Sequence, residues 1–515
     1  MPTSVFDVML PSFADDFGKA IPTALFCHRY VAAEPAMVIP FRIGGESFAV
    51  SALAMGFSQA EFNPLIVPDP RNRALFFERI TPFAKRFDKW FMSFVSDRDE
   101  DGIAIEAPQL IVPNRASATL LAAVGRRLAY IGAGGYSVDP AVIATGRHLQ
   151  FLKEHLRVAG QQLVLSLTDI LATHWSTPQT AGEKLSLPAL AAWIDPPAGV
   201  HGFDASLAAE VGDGVGPIPP AFRDAQVFGL VEGFAAATKA GDAAAASAAE
   251  NGIHAHWTQI LSSAWGICWD ALAQIRTLPL AASTTQRWRQ DCEAYTRHAD
   301  WQQTGGRRRV RPTARQAAAT HSKLEAANNK LAAQEAIDDP LRMAPYVLRD
   351  EAIISMVVAI DPDHVERSPG GQRRRYPLVS VETPDRCGLA VGKQLWWTGE
   401  PNKDRPWIVR EVVQPSRPSQ PWRITLRRVK AAANQTLLPT HHEPATFSVL
   451  HLDDYQAWFP AEADVPWTHR PPANANAIPA LGAIDAETLV GEPSATDKAP
   501  DGFNVADAAN SQGEE

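Results

Sequence analysis

Long apolar runs are missing from this chain. Nowhere do about 18 apolar residues follow one another, so no segment suits a membrane-crossing helix. Cysteine is scarce: Cys27, Cys268, Cys292 and Cys387 stand far apart and form no Cys-x-x-Cys pair. That spacing argues against a zinc ribbon or a disulfide framework and points to buried thiols in a reducing, cytoplasmic setting. The first residues show no basic stretch followed by an apolar core, so no secretory leader is expected. A Gly-x-x-x-x-Gly-Lys-Ser/Thr loop is absent, and no Gly-x-Gly-x-x-Gly follows a strand pattern. P-loop and dinucleotide-binding chemistry therefore have no support. No repeat of fixed period is visible either.

What is present is an ordinary globular mixture, 46% hydrophobic and 20% charged, in 515 residues, which implies two to four domains. The net charge of −9 conceals a division. Residues 461–515 hold ten Asp/Glu against Arg470 and Lys498, whereas residues 366–430 hold fourteen Lys/Arg against six Asp/Glu. Residues 286–316 add eight Arg against three acids.

The strongest pattern lies over 376–430 and 446–452. Short Val-, Ile-, Trp- and Thr-rich runs at 376–382, 393–398, 407–413, 422–429 and 446–452 are separated by Gly, Pro, Asn and Asp, the signature of strands and turns. Over 422–429, Trp422, Ile424 and Leu426 share one face while Arg423, Thr425 and Arg427 share the other. A small antiparallel β-barrel of Tudor-like or oligonucleotide-binding (OB-like) kind is expected, with 352–360 a strand-like run leading into it.

Upstream, Gly44-Gly45-Glu46 joins two alternating runs as a hairpin. Helical spacing predicts helices over 71–95, 117–131, 140–158, 160–173, 187–194, 222–239, 243–277, 284–300 and 314–337. The fold class is therefore α+β and multi-domain. Mainly α-helical N-terminal and central regions precede the barrel, and an acidic tail, expected to be disordered, follows it. The boundaries read as 1–200 (helical with a hairpin), 201–221 (linker), 222–345 (helical bundle), 346–460 (barrel) and 461–515 (tail).

Candidate chemistry is thin. Gly45-Glu-Ser47 resembles a degenerate nucleophile elbow, but alternating apolar runs on both sides favour the hairpin and a structural Ser47. His254 and His256, two apart on a helix, diverge and cannot share an ion. His441-His442-Glu443 meets no zinc spacing, and Asp338-Asp339 reads as a helix cap. No cofactor is implied. What remains is arginine interleaved with aromatics: Arg307, Arg308, Arg309 and Arg311 in one Gly-flanked stretch, Arg373, Arg374 and Arg375 before the barrel, and Arg423 and Arg427 on it. Guanidinium groups neutralise phosphate and exposed aromatics stack on bases. The expectation is a non-enzymatic accessory protein that binds nucleic acid without strong sequence preference, as a subunit of a nucleic-acid-processing assembly. Two alternatives stand beside it: a protein–protein scaffold, and an enzyme assembled from distant residues such as His28, His174 and Asp195.

Overall fold

The computed structural model describes residues 5–45, 49–130, 137–305, 314–368, 370–417, 419–431 and 437–452. In chain order the first part comprises α1 (Val5–Phe17), β1 (Ile21–Pro22), β2 (Ala36–Phe41), β3 (Ala52–Gly56), β4 (Pro64–Ile66), α2 (Arg73–Met92), β5 (Leu110–Val112), α3 (Arg115–Ala129) and α4 (Pro140–Leu156). There follow β6 (Val164–Ser166), α5 (Leu167–His174), β7 (Trp175–Ser176), α6 (Leu187–Ile194), α7 (Gly202–Glu210), α8 (Ala221–Ala240), α9 (Ala243–Arg276), α10 (Ser283–Gln303), α11 (Ala314–Asp338) and α12 (Pro340–Leu348).

Strands β4-β3-β2-β5-β6 form one mixed sheet, antiparallel from β4 to β2 and parallel from β2 to β6. Every residue of β2 and β3 is buried, because side chains alternate between two covered faces. Met37, Ile39 and Phe41 point into a core shared with α5, α6, α8 and α9. Ala36, Val38, Leu53 and Met55 point into a second core shared with α2, α3, α4 and α10. The hairpin expected at Gly44–Gly45 is the β2–β3 pair, with Phe41 opposite Ala52. Ser47 lies outside the described residues.

One expected helix starts late. Residues 164–166 are strand β6, paired in parallel with β5. Three wholly buried residues gain more from a ladder than from a helical turn, and Ser166 then caps α5 by accepting from the Asp169 N–H at 3.4 Å. The start of α4 matches its sequence signals: Asp139 accepts from the Ala141 N–H at 3.0 Å and Pro140 occupies the first turn.

Helices α3 and α4 cross at Gly125 and Gly146. A Cβ built on Gly146 would sit 2.3 Å from the backbone nitrogen of Ala129. Backbone cannot yield as a flexible side chain does, so Gly146→Ala should destabilise the fold by about 1–3 kcal/mol. Urea unfolding of that variant is the check, and an unchanged midpoint would contradict the close crossing.

The C-terminal part is a closed antiparallel barrel in the order β11-β14-β13-β12-β15-β8. Its staves are β8 (Ala352–Asp361), β11 (Leu378–Thr383), β12 (Gln394–Trp397), β13 (Trp407–Val413), β14 (Trp422–Arg428) and β15 (Pro444–Ser448). Between β8 and β11 a two-stranded arm is inserted, β9 (Val365–Arg367) and β10 (Arg373–Arg375). The run expected to lead into the barrel is thus its closing stave, since β8 pairs with both β11 and β15. Ile424 and Leu426 face inward with Val379, Val381, Leu395 and Val409, while Trp407 packs edge-on against Phe447 with ring centres 5.8 Å apart. Trp396, Trp397 and Trp422 are half-buried. No described helix is long and apolar enough to cross a membrane. The acidic segment 461–515 lies outside the described residues.

Candidate functional site

The arginines singled out in the sequence fall into three groups. Arg307, Arg308, Arg309 and Arg311 lie outside the described residues. Arg423 and Arg427 stand on the outer face of β14, as their alternation requires, and both are ion-paired. Arg423 grips Glu382 on the neighbouring β11 at 2.6 Å, and Arg427 reaches Glu366 on β9 at 2.8 Å while its guanidinium lies 4.9 Å above the Tyr376 ring.

Arg373, Arg374 and Arg375 form β10 of the arm. Cross-strand register sets Arg373 opposite Arg367, Arg374 opposite Glu366, and Arg375 opposite Val365. Glu366 also binds Arg410 of β13 at 2.6 Å, so one carboxylate seats the arm over the β13–β14 face. Burial works to raise the Glu366 carboxyl, but hydrogen bonds from Arg410 and His364 and the charge of Arg427 outweigh it and hold it below the usual carboxylate range. Arg375 is held by Asp363 at 3.3 Å and Arg374 by the Gln372 amide at 3.0 Å. Exposed Arg367, Arg373 and Arg374 have no carboxylate partner among the described residues. Like charges directly opposite one another on a two-stranded arm repel, so Arg367 and Arg373 cost stability unless an anion joins them.

A second polar centre is buried. His28 and His174, offered above as parts of a distant site, meet: the His28 backbone N–H donates to Nε2 of His174 at 3.1 Å. The His28 Nε2 lies 3.2 Å from Oδ2 of Asp339, which also accepts from the backbone N–H groups of Leu25 at 2.7 Å and Phe26 at 3.2 Å. The other oxygen, Oδ1, caps α12 by accepting from Leu341 at 2.9 Å. Around this, Arg29 pairs with Glu335 at 3.1 Å, and Arg29 and Arg287 both donate to the His28 carbonyl, at 2.7 and 2.8 Å. Burial pushes the Arg287 guanidinium down to about 10.

His28 and Asp339 are fully buried and His174 is nearly so. The centre therefore works as a clasp between the 25–29 segment, α5 and the α11–α12 junction. Asp195 is not part of it; it is exposed, 3.6 Å from Lys19. Asp339 carried a visible cap signal before Pro340, but nothing local announced partners more than 300 residues away.

The histidine pairs have ordinary roles. His254 lies 3.4 Å from the Thr258 hydroxyl on the same helix, and His441 bonds the Val358 carbonyl at 2.8 Å. Among the described residues no group of three or more His, Cys, Asp or Glu is arranged to hold a metal. All four cysteines are free and buried. Comparison with protein-family models, with curated proteins and with solved structures finds no match to this chain.

Proposed function

We propose that this chain is a cytoplasmic, non-enzymatic binding protein that holds the phosphate backbone of nucleic acid through its barrel and arm, as an accessory subunit of a nucleic-acid-processing assembly. One observation carries the reading: Arg367, Arg373 and Arg374 lie exposed on the arm without a carboxylate on them among the described residues, whereas the arginines beneath are already neutralised by Glu366 and Glu382. Guanidinium groups held apart from carboxylates are available to phosphate, and each phosphate engaged releases counterions. Among the described residues no base-reading element accompanies them, so binding should be indifferent to sequence.

The test is fluorescence anisotropy with labelled oligonucleotides across a salt series. Three arm arginines on duplex DNA give a log–log salt slope near −3, at about −0.9 per contact, and the 307–311 arginines would steepen it. Arg373→Ala with Arg374→Ala should flatten the slope by about 2 and weaken all sequences alike. Arg423→Ala should change little, because Glu382 already occupies that guanidinium. Absence of binding near 50 mM salt, about where such contacts are strongest in practice, would sink the proposal.

A specific observation favours the scaffold reading instead. Phe13 and Phe17 of α1 and Phe203 and Leu207 of α7 are exposed, as is Val211 just beyond α7, and the end of α1 meets the start of α7 where the Gly202 N–H donates to the Gly18 carbonyl at 2.8 Å. Exposed apolar side chains on two adjoining helices suit a protein partner.

A further inference from the structure

An open cleft of about 810 Å³ lies where the chain enters β2 and β5, beside the C-terminal half of α2. Tyr30, Phe57, Trp90 and Phe94 supply its aromatic lining. The Phe57 and Trp90 rings are tilted with centres 5.8 Å apart, and Tyr30 leans on the buried Trp288 at 4.7 Å, so these walls are preformed. Arg86 is already engaged, ion-paired with Glu61 and 5.3 Å above the Phe57 ring.

Glu106 is different. Its two oxygens accept from the Tyr30 hydroxyl at 3.3 Å and from the Trp288 indole N–H at 3.1 Å. Two neutral donors fix the direction of a carboxylate without cancelling its charge. Burial first, and the Glu106 charge second, hold the Tyr30 phenol above its ordinary range, so it stays a donor. Glu34 adds a second carboxylate to the rim, and Lys89, exposed on α2, is the lining cation that opposes them.

We propose that this cleft binds an organic cation, an alkylammonium or guanidinium group seated against the aromatic walls with its charge on Glu106. The negative faces of aromatic rings attract cations, and a carboxylate at the end of such walls adds directed charge. With Arg86 paired to Glu61, an anion would face Glu106 and Glu34 with Lys89 as the lining cation left to favour it.

Calorimetry and tryptophan fluorescence on the full chain test this with agmatine and tetramethylammonium as probes and benzoate as the anionic control. Saturable binding of both cations and none of benzoate is expected. Glu106→Gln keeps an acceptor for the Trp288 N–H and the same shape; it should weaken agmatine about tenfold or more, the loss of one charge pair and its oriented cation–π contact. Lys89→Glu should tighten agmatine about threefold or more by reversing the opposing charge, a gain that a misfolded variant cannot produce. The proposal is overturned if about 10 mM agmatine gives no saturation, since a Kd above that corresponds to a binding free energy of less than about 3 kcal/mol. Equal binding of benzoate, or unchanged agmatine affinity in both variants, would overturn it as well.

Discussion

Asp339→Ala should cost the folded protein about 3–5 kcal/mol, the range for removing one partner of a buried charged network. The carboxylate is fully buried, and its removal strands the backbone N–H groups of Leu25, Phe26 and Leu341 together with the His28 imidazole. A buried donor left without an acceptor costs about 1–3 kcal/mol, less where water reaches it, as at the exposed Leu25 and Leu341. Asp339→Asn retains one carbonyl oxygen and should recover part of the loss. Urea unfolding followed by circular dichroism reads both variants. A shift of the Ala variant below about 1 kcal/mol, the size of an ordinary substitution, would show that the clasp is not what joins α12 to the N-terminal part.

Acid should weaken the fold before most of its carboxylates titrate. The His174 ring is held at about 4 rather than 6.5, first by burial, against the hydrogen bond to the Ile170 carbonyl, with Arg342 lowering it further. Its Nδ1 lies 2.7 Å from that carbonyl while Nε2 accepts from His28. A second proton would therefore set two donors face to face. Burial likewise lowers His28 and, against the pull of Asp88 at 2.9 Å, His148.

In the unfolded chain these imidazoles take up protons as pH falls below the ordinary value, and in the folded chain they do not. Stability is therefore lost on going from pH 6.5 towards 4, His174 alone contributing about 3 kcal/mol at 1.36 per unit. Asp291 acts in the opposite sense. Burial pushes its carboxyl up to about 7 against the bond from the Gln162 N–H, so its contribution is present in acid and lost as pH rises through 7. Between pH 4.5 and 6.5 the His174, His28 and His148 imidazoles act together against the single Asp291 carboxyl. Urea midpoints should climb from pH 4.5 to 6.5, His174→Gln should flatten the climb, and Asp291→Asn should raise stability at pH 8. A flat or inverted profile across pH 4.5 to 6.5 would refute this assignment.

The barrel could be read from the sequence because strand pairing in a small antiparallel barrel is written locally. Trp422, Ile424 and Leu426 alternate with Arg423, Thr425 and Arg427, turn residues bracket each run, and sequential strands are mostly spatial neighbours. The helices were legible for the same reason: the apolar stripe of α9, with Trp257, Leu261 and Trp265, repeats at helical spacing whatever it packs against. Tertiary structure alone decided three other things. The central sheet is made of strands as short as three residues, β5 and β6, which are too brief for periodicity to distinguish from helix and are stabilised by burial between helices far away in the chain. The pairing of barrel arginines depended on register across strands, which puts Glu366 and Glu382 beneath Arg427 and Arg423 and leaves Arg367, Arg373 and Arg374 of the arm without a carboxylate partner among the described residues. Last, the clasp at His28, His174 and Asp339 and the cleft at Glu106 join segments separated by tens to hundreds of residues. A hydrogen bond between such segments leaves no local periodicity or turn signal, because its geometry exists only after the chain has closed.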